Sequence, residues 1–391
     1  MQASSDPAAR QAAFAELGAI EARDLGRGWW SLRLRRADRV DALRARAARA
    51  RGVQALESND VYRPAAVTPA LTDPRTSEQW ALEQTNDVDL DILRAWKVTQ
   101  GTPSTVVAVI DTGIALNHED LKVNLWTNTK EIAGNGIDDD RNGVVDDVNG
   151  AQFSGGGTPS GSPLETADSG TFVGHGTHLA GVIAAKAGNG LGIAGVAPGA
   201  RIMPVKIYDG NGSTTIADIV AAIHYAVANG AKVINASFAG ASCNEALYSA
   251  FRDADIADVL SVIAAGNDGS TSKVFPAAFP LRSSISVGAI DSDGAVAIYS
   301  NHGSWVNVFA PGTNILSTYP DSTYAYWSGT SMAAPQVAGV VALVRSLHPT
   351  WTALQVKQKV LASVDVDARY SGNASTGGRV NAGNAVDAPA A

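Results

Sequence analysis

Beyond residue 100 the chain alternates between short, mostly apolar runs and longer amphipathic ones, and no other feature restricts its folding as much. The apolar runs are Val106 to Ile110, Ile202 to Ile207, Val233 to Ser237, Val259 to Ala264 and Ile285 to Ile290. Between them Gly176 to Ala187, Ala217 to Asn229 and Met332 to Leu347 read as helices. A strand with one wet face alternates apolar and polar residues, whereas a strand apolar throughout needs cover on both faces. The expected class is α/β, a central mostly parallel sheet with helices on both faces, and functional groups belong at the carboxyl ends of its strands.

The first 69 residues differ. They hold 12 Arg, no Lys and 8 acids, a net of +4, which leaves −12 on residues 70–391 against −8 for the whole chain. Pro7 to Leu17 reads as a helix, Gly28 to Leu34 as a strand, Ala37 to Arg51 as an Ala/Arg helix and Val53 to Glu57 as a strand, a small α+β unit. The Pro-punctuated stretch Arg63 to Pro69 follows as a linker. The arginines lie on strand- and helix-like segments with no interleaved aromatic platform, so nucleic-acid binding is not expected. No run of about 18 apolar residues occurs, so no membrane-spanning helix is expected. Cys243 is the one cysteine, which excludes an internal disulfide.

Three short segments carry the chemistry. Val106-Val-Ala-Val-Ile-Asp-Thr-Gly113 sets Asp111 at the end of a buried strand. Gly174-His-Gly-Thr-His-Leu-Ala-Gly181 sets His175 at a helix start, and Gly329-Thr-Ser-Met-Ala-Ala-Pro335 sets Ser331 at another. A serine hydroxyl needs a base to take its proton, and the base needs an acid to fix its tautomer and stabilise its cation. Singly, Asp111 reads equally as a strand end, His175 and Ser331 as helix caps, and Asn267-Asp268-Gly269 as a turn. The pair His175 and His178 has no third metal ligand beside it, so His178 reads as a packing histidine.

Together, in the order Asp, His, Ser and with Ala264-Ala-Gly-Asn267 between the last two, these segments resemble the signatures of the subtilase family of serine proteases. The resemblance implies a subtilisin-like fold, a nucleophile Ser331, a base His175 that takes its proton, an orienting Asp111, and an oxyanion donor Asn267. It also implies a substrate cleft lined by Gly212, Ser213 and Thr214 on one side and by Ser237, Phe238 and Ala239 on the other, with Ala265, Gly266 and Asp268 around the pocket for the side chain preceding the cut. Broad specificity with a preference for large apolar or aromatic residues follows. One departure stands out: the family's usual Ala-Ala-Pro-His reads Ala-Ala-Pro-Gln here, at Gln336. The Gly-rich insertion before His175 leaves the alignment of residues 151–172 open.

Asp138-x-Asp140-x-Asn142-Gly143 repeats the first half of an EF-hand loop, without the Glu at its twelfth position. Hard oxygen ligands at alternate positions suit Ca²⁺, with the Val144 carbonyl and Asp147 completing the set. The resemblance implies a second calcium site at Asp73, Asp120, Lys186, Asn189, Leu191 and Ile193, three of them through carbonyls. It further implies that residues 1–69 are an inhibitory, ferredoxin-like prodomain cleaved from residues 70–391 by the enzyme itself, between Tyr62 and Asp73. The first strand of such a domain is missing from this reading, as if the chain began inside it. A secreted, monomeric enzyme acting on proteins and peptides is expected, although no signal segment is visible. The rival expectation is a non-catalytic calcium-binding module on the same scaffold.

Overall fold

The chain divides into two units, Met1–Ala66 and Val67–Ala391, and the computed structural model describes residues 2–34, 40–56, 71–165 and 172–387. The first unit runs β1 (Gln2–Ala3), α1 (Pro7–Leu17), β2 (Ala19–Gly26), β3 (Trp29–Leu34), α2 (Val40–Ala47) and β4 (Val53–Ala55). Its sheet has the order β2-β3-β1-β4 with every neighbour antiparallel, the ferredoxin-like arrangement. Helix α1 starts where Asp6 accepts the Ala8 N–H and Pro7 needs no acceptor, and stops at Gly18, which takes φ 75°. Phe14 and Leu17 then close over Ala3, Ala47, Trp30 and Leu32. Two expectations are corrected here. The first strand is present as the two-residue β1, too short to register as a pattern. Strand β2 was not foreseen, because none of its eight residues is buried and it shows no apolar alternation. The Arg63 to Pro69 linker lies outside the described residues.

The second unit begins with α3 (Ile92–Trp96), β5 (Val106–Asp111), β6 (Ala151–Gln152), α4 (His175–Ala184), β7 (Arg201–Lys206) and α5 (Ile216–Ala228). It continues with β8 (Val233–Ala236), α6 (Glu245–Ile256), β9 (Leu260–Ala264), β10 (Ser284–Ile290) and β11 (Val308–Pro311). The hairpin β12 (Ile315–Tyr319) and β13 (Thr323–Trp327) leads into α7 (Thr330–Leu347), followed by α8 (Ala353–Ala362), β14 (Asp365–Val366), β15 (Gly378–Arg379) and α9 (Ala382–Ala385). The nine-stranded sheet has the order β14-β15-β11-β10-β9-β8-β5-β7-β6 and is parallel apart from β14 with β15.

Strand β5 shows why a continuous apolar run was needed. Val107 and Val109 pack into the layer holding Leu179 and Ile183 of α4 and Val337 and Val341 of α7. Val106, Ala108 and Ile110 pack on the opposite face against Ile219 and Ile223 of α5 and Phe251 of α6. The chain lays β6 and β7 to one side of β5 and β8 to β11 to the other, so the end of β5 is the topological switch point where such sheets open a crevice.

Candidate active site

Asp111 is the last residue of β5 and is fully buried. Its Oδ1 accepts the His175 Nδ1–H at 2.6 Å and the Thr112 N–H at 2.8 Å, while its Oδ2 has no partner among the described residues. His175 opens α4. The residue before it, Gly174, has φ 86°, and a Cβ there would strike the Tyr319 ring, so only glycine lets the helix start this close to the hairpin. With the Nδ1 proton committed to Asp111, Nε2 carries the lone pair of a base. Burial pulls the His175 pKa down, but the charge and hydrogen bond of Asp111 and the charge of Glu165 outweigh it and hold the imidazole above its ordinary value.

His178, one turn along the same helix, meets the opposite fate. Its Nε2–H donates to the carbonyls of Ile315 at 2.9 Å and Ala325 at 3.1 Å, and its ring stacks on Trp327. Burial drives its pKa down to about 3, so it packs as a neutral ring.

Ser331 is the second residue of α7 and half-exposed in a helix otherwise buried from Thr330 to Arg345. Pro335 lies inside this helix and cannot donate to the Ser331 carbonyl; the Ser237 hydroxyl takes its place at 3.2 Å. The Ser331 hydroxyl donates to the Ser237 carbonyl at 3.4 Å, so its link to His175 is open in this structure. Asn267 accepts at Oδ1 from the Thr330 N–H at 2.8 Å and the Thr330 hydroxyl at 2.9 Å. An amide N–H can only donate, so Oδ1 must face Thr330, and the exposed side chain presents Nδ2–H₂ beside Gly329. The N–H of Ser331 lies in the first turn, where a helix has no internal acceptor. Gln336 is buried, and its Oε1 finds no partner among the described residues.

The cleft residues divide. Gly212 and Ser213 close a tight turn on Asp209, with Thr214 leading out toward α5. Ser237, Phe238 and Ala239 run on from β8, and Gly240 bridges Phe275 in antiparallel pairing. Phe238 is half-buried against the α5/α6 layer. Ala265 is buried, Gly266 has φ 93°, and a Cβ on it would collide with the Asn301 amide, which also bonds the Asp268 carboxylate at 3.2 Å.

The acidic loop is organised differently from an EF-hand. Asp138 turns to the Asn142 and Gly143 N–H groups, sharing the Asn142 N–H with Asp140, and is not one of the three acids whose oxygens converge. Asp140 and Asp147 instead meet Glu131, with one oxygen from each within 4.8 Å of the others. Asn142 supports this cluster through its Nδ2–H to Asp147, and Val144 is buried beneath it. Sequence reading missed Glu131; its only signal was an acid a few residues before the Asp-rich run. Its Oε2 is buried without a partner among the described residues, as an oxygen awaiting a cation would be.

The second set fits an ion less well. Asp73 is capped by the Gly188 and Gly190 N–H groups, and Asp120 by the Ile193 N–H and the Asn189 amide, so these oxygens are already satisfied. Asn189 turns its Oδ1 to the Leu191 N–H, and the Lys186 N–H donates to the Asp120 carbonyl. No third carboxylate joins the pair among the described residues.

The family model of the subtilases matches residues 102–384. The chain is 38% identical over 295 residues to a thermophilic serine proteinase of Bacillus sp. (strain AK1), covering 75% of this chain and 64% of that protein. It is 40% identical over 324 residues to an extracellular protease of Xanthomonas campestris pv. campestris, covering 76% and 53%. It thus spans between about half and two thirds of these relatives. Among solved structures, a protease from Pseudoalteromonas arctica superposes with TM-score 0.68 at 30% identity, over 82% of this chain and 99% of that one.

Proposed function

The chain belongs to the subtilase family of serine proteases, and from that premise we propose that it is a serine endopeptidase working through Ser331, His175 and Asp111. The observation that carries this reading is the 2.6 Å bond between a buried Asp111 and His175 at the switch point of the sheet. In the proposed reaction the Ser331 hydroxyl turns from the Ser237 carbonyl to His175 Nε2, which takes its proton as Oγ attacks the scissile carbonyl. Asp111 keeps the tautomer and stabilises the imidazolium. The oxyanion is received by the Asn267 amide and the Ser331 N–H. His175 then gives the proton to the leaving amine, and water completes the hydrolysis by the same route.

A peptide paired with the backbone of 237–240 and of the 212–214 turn would be held mainly through its main chain, which favours broad specificity. Phe238 and the wall from Ala265 to Gly266 favour a large apolar side chain before the cut, and Asp268 tolerates a basic one. Ca²⁺ would be held by Glu131, Asp140 and Asp147, where it offsets carboxylate repulsion and stabilises the fold. We read residues 1–69 as an inhibitory prodomain removed by self-cleavage, and the mature enzyme as a secreted monomer. No helix of the described residues is long and apolar enough to cross a membrane.

The test is incubation with casein in the presence of calcium, beside a Ser331→Ala variant, following peptide release and the mass of the chain. The parent is expected to shed about 70 residues and digest casein while the variant does neither. Equal behaviour of the two, even without residues 1–69, would favour a non-catalytic calcium-binding module instead.

A further inference from the structure

Glu165 is 1% exposed and sits behind the Asp111–His175 pair. Its segment runs alongside the exit of β5, with the Ile114 N–H donating to the Pro163 carbonyl and the Glu165 N–H to the Ile114 carbonyl, each at 3.0 Å. Three donors converge on its carboxylate: the Thr112 hydroxyl at 2.5 Å, the Thr177 hydroxyl at 2.5 Å and the Thr177 N–H at 3.2 Å. Thr112 follows Asp111, and Thr177 lies two residues beyond His175.

The direction of each hydroxyl matters. A threonine has one proton to give, and both give it to Glu165. Each oxygen is thereby left as an acceptor for an N–H of the opposite segment: Thr112 accepts from Gly176 at 2.9 Å and Thr177 from Ala115 at 2.9 Å. A carboxylate can accept all three donors, whereas an amide would turn an N–H₂ toward one of them. A single buried side chain therefore ties the strand end carrying Asp111 to the helix start carrying His175.

We propose that Glu165 is a positioning residue for the Asp111–His175 pair, holding the two segments in register and setting a negative charge behind the imidazole. This rests on the triad reading above. The charged groups that face it are Asp111 on β5, His175 on α4 and Lys206 on β7, whose Nζ donates to the Leu164 carbonyl at 3.2 Å; Tyr208 faces Asp111. Burial raises the pKa of Glu165, the two threonine hydroxyls lower it, and Asp111 raises it again. Above that pKa its charge favours protonated His175, so the base is harder to deprotonate with Glu165 than without it.

The experiment compares Glu165→Gln and Glu165→Asp with the parent by the pH profile of kcat/KM. In parallel, the His175 imidazole is titrated by NMR in each chain carrying Ser331→Ala, a readout that needs no activity. For Glu165→Gln the expected result is a roughly 10- to 100-fold lower plateau kcat with little change in KM, as for a misplaced base. Its acid limb and its imidazole titration should both move to lower pH. Glu165→Asp should bring both back toward the parent. An acid limb and titration that stay in place in Glu165→Gln, whatever its melting temperature, would overturn the proposal and leave Glu165 a clamp for the fold alone. If no chain has peptidase activity, the triad reading fails, and the titration still decides whether Glu165 acts on His175. Should Glu165→Gln not fold, Glu165→Asp keeping the parent's kcat would equally overturn it, because its shorter side chain cannot reach both threonines.

Discussion

Two groups of buried carboxylates sit in one domain and are solved in opposite ways. At the end of β5, Asp111 and Glu165 are surrounded by donors: an imidazole, two hydroxyls and backbone N–H groups. In the 131–147 loop, Glu131, Asp140 and Asp147 turn oxygens toward each other within 4.8 Å; Asn128, Asn142 and Tyr225 donate to the two aspartates, but Glu131 Oε2 has no donor among the described residues. Two like charges about 4 Å apart repel by about 4 kcal/mol at an effective dielectric near 20. A lone carboxylate ringed by donors becomes a positioning device, whereas three whose oxygens converge, one of those oxygens lacking a donor, call for a cation. On the proposed reading, carboxylates serve catalysis in one place and stability in the other.

The comparison breaks most plainly if the two groups turn out to be interchangeable. Asp111→Asn is expected to lower kcat about 10⁴-fold, the size of effect found when a triad Asp is neutralised in a serine protease, because the imidazole loses its tautomer. Melting in calcium should be little affected, and casein hydrolysis beside a thermal scan reads both. Glu131→Gln should do the reverse, leaving kcat of the folded enzyme near the parent's while abolishing most of the calcium dependence of melting. At calcium 100-fold above Kd the lost stabilisation is about 2.7 kcal/mol, and chelation of the parent should reproduce it. A Glu131→Gln enzyme with parental calcium dependence would place the ion elsewhere.

Sharper still is Asp138→Asn, which separates the observed cluster from the EF-hand pattern. Asp138 only caps Asn142 and Gly143, so the expected cost is about 1 kcal/mol of stability with calcium affinity nearly kept. Titration calorimetry on the two variants ranks them. The smallest effect is in pH. The base must be neutral to accept the Ser331 proton, and His175 is held above its ordinary pKa, so activity should fall with decreasing pH sooner than for a free imidazole. An acid limb below the ordinary histidine value would contradict the electrostatics drawn around Asp111 and Glu165.

Much of this architecture was legible in the residues. Strand β5 declared itself because burial on both faces leaves no room for a polar position, and α4 and α7 because glycines and small residues mark their starts. Asp111, His175 and Ser331 stand at the ends of such elements and Asn267 just beyond β9, which is what singles them out as candidates. What stayed hidden depends on contacts between distant segments. Glu165 lies 53 residues from Thr112, in a stretch of glycines, serines and prolines that carries no periodicity. Glu131 lies outside the spacing that suggested a calcium loop, and Asp138, inside that spacing, is spent on backbone N–H groups. The edge strand β2 is exposed along its length, so it had no apolar face to show.

The central claim is that Ser331 is a nucleophile activated by the His175–Asp111 pair, and labelling with a sulfonyl fluoride tests it most directly. The folded chain, freed of residues 1–69 and incubated with the reagent, is digested and its peptides weighed. The account expects a single adduct on Ser331 that disappears in His175→Ala. A folded chain that takes no label, or takes it on another residue with Ser331 untouched, would contradict it.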